Sequence, residues 1–408
     1  MQKLSSSQLK TLQAAKFDES GPGTILADFE TLLSFIGSDG LRSSGKNVRI
    51  PLAALNDLDE RMTHPLRPSL QRPQQVSFPH LNGLYLLLRS TGLGIATGVG
   101  ASGRLVLNPP ILSQWVALNP VEKYLTLFQA LMTSNWGMIS SDESSRNGPF
   151  QLVPQCLECY GPSSKKREAS KPASEYFYGW TDQTAAALLE LFGILDISRE
   201  PSQKGENWRI KSIQITEFGS AFIARLKDMS LEYTFMDIVL DHPSDEGKWL
   251  ADIFRDVFPD CHKTLQPVPA EFVDGIWQFK VSWGTVWRRI LIPADMSTDD
   301  LVEGILKAFK FDSDHLYQFE MRDRSGQEFQ IGPEGLDGID EFSDEFAIGY
   351  LPLDPGQSMR FHFDFGADWF FDVKLEQILP PNKSIKRLKI TEKKGNAPKQ
   401  YDYGEDGW

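Results

Sequence analysis

The chain has 408 residues, of which 41% are hydrophobic and 24% charged, and it carries a net charge of −13. That length exceeds one typical domain, and the composition is that of a globular protein rather than a disordered or fibrous one. No apolar run reaches the ~18 residues of a membrane-spanning helix, and three cysteines cannot build a disulfide framework, so a cytoplasmic protein with no membrane partner is expected.

The opening stretch MQKLSSSQLKTLQAAKFDES lacks a long apolar core and a small-residue cleavage site, so no secretory signal is expected. A short helix near Leu9–Lys16 leads to a Gly-Pro-Gly turn, and Leu26, Phe29, Leu32, Leu33 and Ile36 mark an amphipathic helix over 24–37. A short strand at 48–50, a helix after Pro51 and a proline-rich loop over 63–79 follow. His80–Arg89 reads as a buried helix, and the glycines after it suit a strand–turn–strand hairpin. Helices over 111–117 and 121–132 come next, with Asn119 and Pro120 as cap and first-turn pair. Helix followed by hairpin is the outline of a winged helix. It recurs over 181–216, where Gly193 ends a helix and PSQKGE tips a hairpin, before a further helix from Glu217. The expected organisation is a mostly helical N-terminal half with winged-helix-like units over 1–160 and 175–267. The stretch 161–174, GPSSKKREASKPAS, is a flexible basic linker or loop.

From 268 the pattern changes. Strands over 272–281 and 285–292, a helix over 298–309 capped by Ser297 or Thr298, and a strand over 315–321 follow one another, with later strands near 347–351, 359–365 and 369–379. This is the strand, strand, helix, strand order of a β-grasp-like (ubiquitin-like) domain over 268–382, followed by a polar tail over 383–408; the chain as a whole is α+β. Strand parity puts Val286, Arg288, Ile290 and Ile292 on one face and Trp287, Arg289 and Leu291 on the other, with the first set toward the core.

The charge is uneven. Between Glu271 and Glu376 there are 22 acidic and 9 basic side chains, a net −13, against −3 over the first 270 residues and +3 in the tail from Lys383. So acidic a region repels phosphate backbones, and any DNA contact is expected from the N-terminal half, through Lys165, Lys166, Arg167, Lys204 and Arg209. Cys156 and Cys159 form a CxxC that could supply two zinc ligands, but a tetrahedral site needs two more and only Cys261 remains, so a reduced pair is the simpler reading. Gly98, Gly100 and Gly103 match GxGxxG, yet RLVLNPP follows where a dinucleotide site needs a helix. The loop 334–345 is acidic but lacks the ligand spacing of an EF-hand, and reads as solvated or partner-facing. Arg288 and Arg289 point to opposite faces, with Asp364 or Asp368 the simplest internal partner. His362 is expected on the polar face of its strand. His315 reads first as a structural histidine at the helix–strand turn; Asp364, Asp368 and Asp372 could supply metal oxygens, and His315, Asp364 and Asp368 are the group an enzyme would use.

The segments VWRRILIP, a capped helix ending in AF, HLYQFEM and FDFGADWFFDVKLEQI carry a family resemblance. Together with the tail GNAPKQYDYGEDGW, they make residues 270–408 resemble the ORF-three-like family of the root-inducing plasmid, also known as TnpR-like passengers of an insertion element. The family pattern is kept at Trp287, Arg288, Arg289, His315, Leu316, Phe319, Asp364, Phe365, Gly366 and Trp369, with Asp368 in the same turn; it is broken at Ala367, where the family often has Asp. The resemblance implies an association with mobile elements and no defined activity. The expected function is therefore a non-enzymatic adaptor, with no cofactor, whose C-terminal domain presents an acidic, aromatic surface to a protein partner. The alternatives are a DNA-binding accessory protein acting through the winged-helix-like units, and a metal-dependent enzyme using Asp364, Asp368 and His315.

Overall fold

The computed structural model describes residues 4–18, 21–43, 48–98, 103–133, 180–200, 204, 209–230, 249–266 and 268–401. The chain divides into two compact units, one of residues 1–96 and 103–268, the other of 97–102 and 269–408. The architecture is α+β, with helices dominating the first unit and one large sheet the second.

In the first unit, Ser5 and Gln8 cap α1 (Ser6–Gln13) reciprocally. Helix α2 (Ile25–Ile36) buries the stripe Ile25, Phe29, Leu32, Leu33 and Ile36. There follow β1 (Leu41–Arg42), α3 (Leu52–Glu60), α4 (Pro79–Ser90), the pair β2 (Gly94–Thr97) and β3 (Arg104–Leu107), α5 (Pro109–Val116) and α6 (Pro120–Thr133). Helix α7 (Trp180–Leu191), the antiparallel pair β4 (Leu195–Glu200) and β5 (Arg209–Ile215), α8 (Glu217–Ser230) and α9 (Trp249–Phe254) complete it. Strand β1 joins the β2–β3 pair in the order β1–β3–β2. Aromatic rings fill the centre: Tyr124 meets Phe17 at 4.9 Å and Phe192 at 5.1 Å, edge to face. The buried Tyr124 hydroxyl donates to the Phe192 carbonyl at 2.6 Å, and burial pushes its pKa well above the usual phenol value.

Three buried carboxylates hold the loops of this unit. Asp28 accepts from Thr63 N–H at 2.7 Å and from the Thr24 hydroxyl at 2.6 Å. Asp59 accepts from the N–H groups of Leu66 and Arg67 at 3.0 and 2.8 Å, with His80 Nε2 2.8 Å away. Glu122 accepts from the N–H groups of His262 and Lys263 at 2.8 and 2.7 Å. Each repays the cost of burying a charge by satisfying backbone donors that would otherwise be orphaned.

The second unit is one eight-stranded sheet with the order β10–β9–β8–β11–β12–β6–β7–β13. Its strands are β6 (Ile276–Trp283), β7 (Val286–Pro293), β8 (Tyr317–Arg322), β9 (Glu328–Gly332), β10 (Glu341–Phe342), β11 (Ser358–Phe363), β12 (Trp369–Leu379) and β13 (Lys389–Lys394), all antiparallel to their neighbours except the short β9–β10 pair. Helix α10 (Thr298–Phe309) lies between β7 and β8 in sequence. A Ser297–Asp300 capping box starts it, and Lys310 ends it in the left-handed region at φ 61°. Its Leu301, Val302, Ile305, Leu306 and Phe309 form one core with Phe279, Ile290, Ile292, Phe361, Phe371 and Val373. Strand, strand, helix, strand is the chain order expected from sequence, and five further strands, β9 to β13, extend it.

Three local differences have physical causes. The segment expected as a strand over 347–351 is a single 3-10 turn, Ile348–Tyr350. Gly349 is needed there because a Cβ would come 2.4 Å from the Phe272 ring, and the turn buries Ile348 and Leu351 at once. The acidic stretch read as loop contributes β10, pairing beside β9. Within the polar stretch 383–408, β13 pairs with β7 although all six of its residues are exposed, because its backbone completes the β7 ladder. Lysines at 389, 393 and 394 then guard the outer edge.

Ile290 is fully buried and Trp287 is not. Ile290→Ala should therefore cost about 2–5 kcal/mol in chemical denaturation, and Trp287→Ala clearly less; a larger loss at Trp287 would reverse the assignment of faces. A fragment of residues 269–408 should melt cooperatively, whereas one ending at 382 should melt lower, because it leaves β7 as an unguarded edge.

Candidate functional site

Asp364 and Asp368 both take positive φ, 55° and 54°, which Asp tolerates better than most side chains. The Asp364 carboxylate organises the turn between β11 and β12. Its Oδ1 accepts from the N–H groups of Gly366 and Ala367 at 3.1 and 3.2 Å. Its Oδ2 accepts from the Tyr401 hydroxyl at 2.6 Å, with His315 Nε2 3.8 Å away. The neighbouring Gln400 bonds both backbone groups of Asp312, so the segment after β13 is tied down at two points. The Tyr401 hydroxyl holds the Asp364 carboxyl below its usual range against the opposing effect of burial, helped by the two N–H groups and His315. The Tyr401 phenol is correspondingly pushed up to about 12 by burial and by the carboxylate, so it stays a donor.

Asp368 faces the other way. Its Oδ1 lies 2.9 Å from Nε2 of His362, whose ring stacks on Phe370 at 4.1 Å. His315, Asp364 and Asp368 are thus split between two pairs rather than joined in one centre. Among the described residues, no group of three or more His, Cys, Asp or Glu side chains is placed to hold a metal ion. Trp369 packs on Phe311 at 4.7 Å and Trp283 at 5.5 Å, and its indole N–H is buried without a partner among the described residues.

The arginine pair is held differently from the expectation. Arg288 is 4% exposed; it donates to the carbonyls of Ala308, Trp287 and Lys394 and lies over the Phe309 ring at 4.7 Å. Arg289, on the opposite face, grips Glu376 at 2.6 and 3.1 Å and also pairs with Glu392. Its guanidinium lies over the Trp287 ring at 5.4 Å. Neither arginine uses Asp364 or Asp368, because both acids sit at the β11–β12 turn while Arg288 and Arg289 pair in register with β6 and β13. Lys165, Lys166, Arg167, Cys156 and Cys159 lie outside the described residues. Lys204 is exposed, and Arg209 opens β5 opposite Glu200. Cys261 is buried, and burial pushes its thiol up to about 11.

The feature that residue-by-residue reading missed is an aromatic strip beside the acidic loop. Phe329, Phe346, Tyr350 and Phe272 follow one another at ring separations of 5.7, 6.2 and 5.1 Å. Phe272 and Tyr350 are 41% and 40% exposed, as is Phe342 at 42%. The loop is fixed to the start of α10: the N–H groups of Thr298 and Asp299 donate to the carbonyls of Phe346 and Ser343 at 2.9 Å, and the Tyr317 hydroxyl bonds both Asp299 and the Ser343 hydroxyl. None of Asp337, Asp340, Glu341, Asp344 and Glu345 pairs with a described cation. Burial and then neighbouring acids push the Asp340 and Glu341 carboxyls up. The exposed hydrophobics alone could not show the strip in sequence, since Phe272 and Tyr350 are far apart along the chain.

Tyr401→Phe removes the main support of the Asp364 carboxylate. A carboxyl with a depressed folded pKa contributes stability that is complete above its unfolded value of about 3.9 and lost as pH falls through the folded value. The variant should therefore be less stable than the parent by roughly 1–3 kcal/mol at neutral pH, and the gap should close below about pH 4. Denaturant titrations at several pH values read this directly; a gap that persists unchanged in acid would mean that packing, not the carboxylate, is what Tyr401 supplies.

No curated protein matches the chain. Among solved structures, a crystal structure of a protein of unknown function from Methanosarcina mazei Go1 is 26% identical, covering 30% of this chain and 71% of that one, with a TM-score of 0.27. Residues 275–407 match the family model described as plasmid pRiA4b ORF-3-like protein, so the C-terminal region carries the family resemblance that its motifs implied.

Proposed function

We propose that the protein is a non-enzymatic adaptor whose β-grasp-like C-terminal domain binds a basic segment of a protein partner. The observation that carries this is the aromatic strip Phe329–Phe346–Tyr350–Phe272, half-buried at its first two rings and exposed at its last two, beside carboxylates that pair with no described cation. Aromatic faces attract arginine and lysine, and uncompensated acids favour the same residues. The hydrogen bonds that pin the loop to α10 mean little ordering entropy is lost on binding. The plasmid in the matched family's description supports an association with mobile elements.

The first unit fits the same reading. Its helix–strand–helix–helix–hairpin order with the sheet β1–β3–β2 supports winged-helix-like units. The helices that precede the hairpins, α4 and α7, would be the ones to enter a DNA groove. Both are buried along most of their described length, and Gly83 of α4 lies so close to Leu188 of α7 that a Cβ would come within 2.5 Å. Units packed through those helices suit protein contacts better than DNA.

The test is site-specific photo-crosslinking of the full-length protein in its host. A benzophenone amino acid in place of Phe342 should give a discrete protein adduct, and the same probe in place of Leu316, also exposed at 54%, should not. The adduct should vanish in a variant carrying Asp340→Asn, Glu341→Gln and Glu345→Gln. No adduct at Phe342, or one indifferent to those charges, would end this reading.

A further inference from the structure

The sheet of the second unit has two open edges, and they carry opposite charge. At one edge is β10, bonded only to β9; at the other is β13, bonded only to β7. The stretch 334–345, which contains β10, holds six acids, Glu334, Asp337, Asp340, Glu341, Asp344 and Glu345, and no cation. The equally long stretch 383–394, which contains β13, holds six cations, Lys383, Lys386, Arg387, Lys389, Lys393 and Lys394. Its one acid, Glu392, is taken by Arg289. All twelve side chains reach the surface, and none pairs with a described residue of opposite charge. Seven strand spacings of ~4.8 Å part the two edges, roughly 34 Å in all, so the stretches do not neutralise each other within one chain.

We infer that they do so between copies: the basic edge of one molecule docks on the acidic edge of the next. This deepens the function proposed above and rests on it, because it names the basic partner segment as residues 383–394 of a second copy. The charges select both the occupant and its orientation. Two β13 edges, or two β10 edges, would set six like charges against six, and the lysines that keep β13 from pairing with its own kind are the ones an acidic edge attracts. Only head-to-tail contact sets unlike charges together. Each stretch also brings one exposed large hydrophobic to the joint, Phe342 at 42% and Ile390 at 40%. Strand β10 is two residues long and β13 six, so any shared ladder is short and the charges carry more of the contact than backbone pairing does. A head-to-tail contact leaves one free edge at each end, so copies add into a ring or an open chain.

Sedimentation velocity of the purified full-length protein tests this. At low salt the mean mass should rise with concentration. Between 0.1 and 1 M salt the same association should need roughly tenfold more protein, since the screening length falls from ~10 Å to ~3 Å. A basic-edge variant carrying Lys389→Glu, Lys393→Glu and Lys394→Glu should stay single, and so should an acidic-edge variant carrying Glu341→Lys, Asp344→Lys and Glu345→Lys. An equal mixture of the two should associate again, because each then offers the edge that the other lacks; a merely structural role for these residues would not produce that rescue. If a reversed variant melts poorly, Lys389→Gln with Lys393→Gln, and Glu341→Gln with Glu345→Gln, should each weaken the parent's association while leaving its melt intact. A parent that stays single at low salt, variants that associate as the parent does, or a mixture without rescue would overturn the inference. A single parent would still leave the adaptor reading to the Phe342 adduct in the host, which could then hold a different basic protein, whereas the lack of any adduct bears on that reading alone.

Discussion

A β-strand can turn only alternate side chains to one side, and in β7 that constraint arranges most of the C-terminal unit. Ile290 and Ile292 go inward to α10 and the neighbouring strands. Arg288, on the same side, is drawn in with them. Its charge is tolerated because three carbonyl oxygens and the Phe309 ring surround it, one of those carbonyls coming from β13. The last strand is thus held by its ladder to β7 and also by a buried cation that needs its carbonyl. Trp287 and Arg289 go outward by the same rule, which places an aromatic ring between two cations on the open face.

The two units solve the burial of charge in different ways. In the first, single carboxylates are buried and each accepts from backbone N–H groups of a loop, Asp28 and Glu122 from one distant in sequence and Asp59 from the residues just after its own helix. Such contacts stabilise because the alternative is an orphaned donor in an apolar interior. In the second, the acids are mostly left outside. Asp364 is the exception, and it too works as a loop organiser, joining its own turn to Tyr401. A carboxylate occupied in that way is committed to structure. Asp368, paired with His362 on the other side of the turn, serves a separate contact.

Charge segregation then sets what the second unit can meet. One group of acids lies at the α10 start and in the β9–β10 loop, next to partly exposed rings, and others, Glu320, Asp372 and Glu376, stand on the open sheet face. The open sheet face carries cations among its acids.

The sequence by itself determined the elements whose cause is local. The Ser297–Asp300 cap, the period of Leu301, Ile305 and Phe309, and the alternation of Val286 to Ile292 were all legible, because each depends on neighbours within one or two turns or on strand parity. The family motifs of residues 275–407 were legible for the same reason. What only the tertiary structure decided depends on partners far apart in the chain. The polar stretch around Lys389–Lys394 becomes a strand because β7 offers it a ladder, not because of its own side chains. Arg289 finds Glu376 and Glu392 instead of the turn acids, since sheet order places them side by side. The segment 347–351 folds as a turn because the Phe272 ring packs over Gly349. The aromatic strip and the placing of the acidic and basic stretches at opposite edges exist only once strand order and register are fixed, and register is a property of the whole sheet that no local pattern encodes.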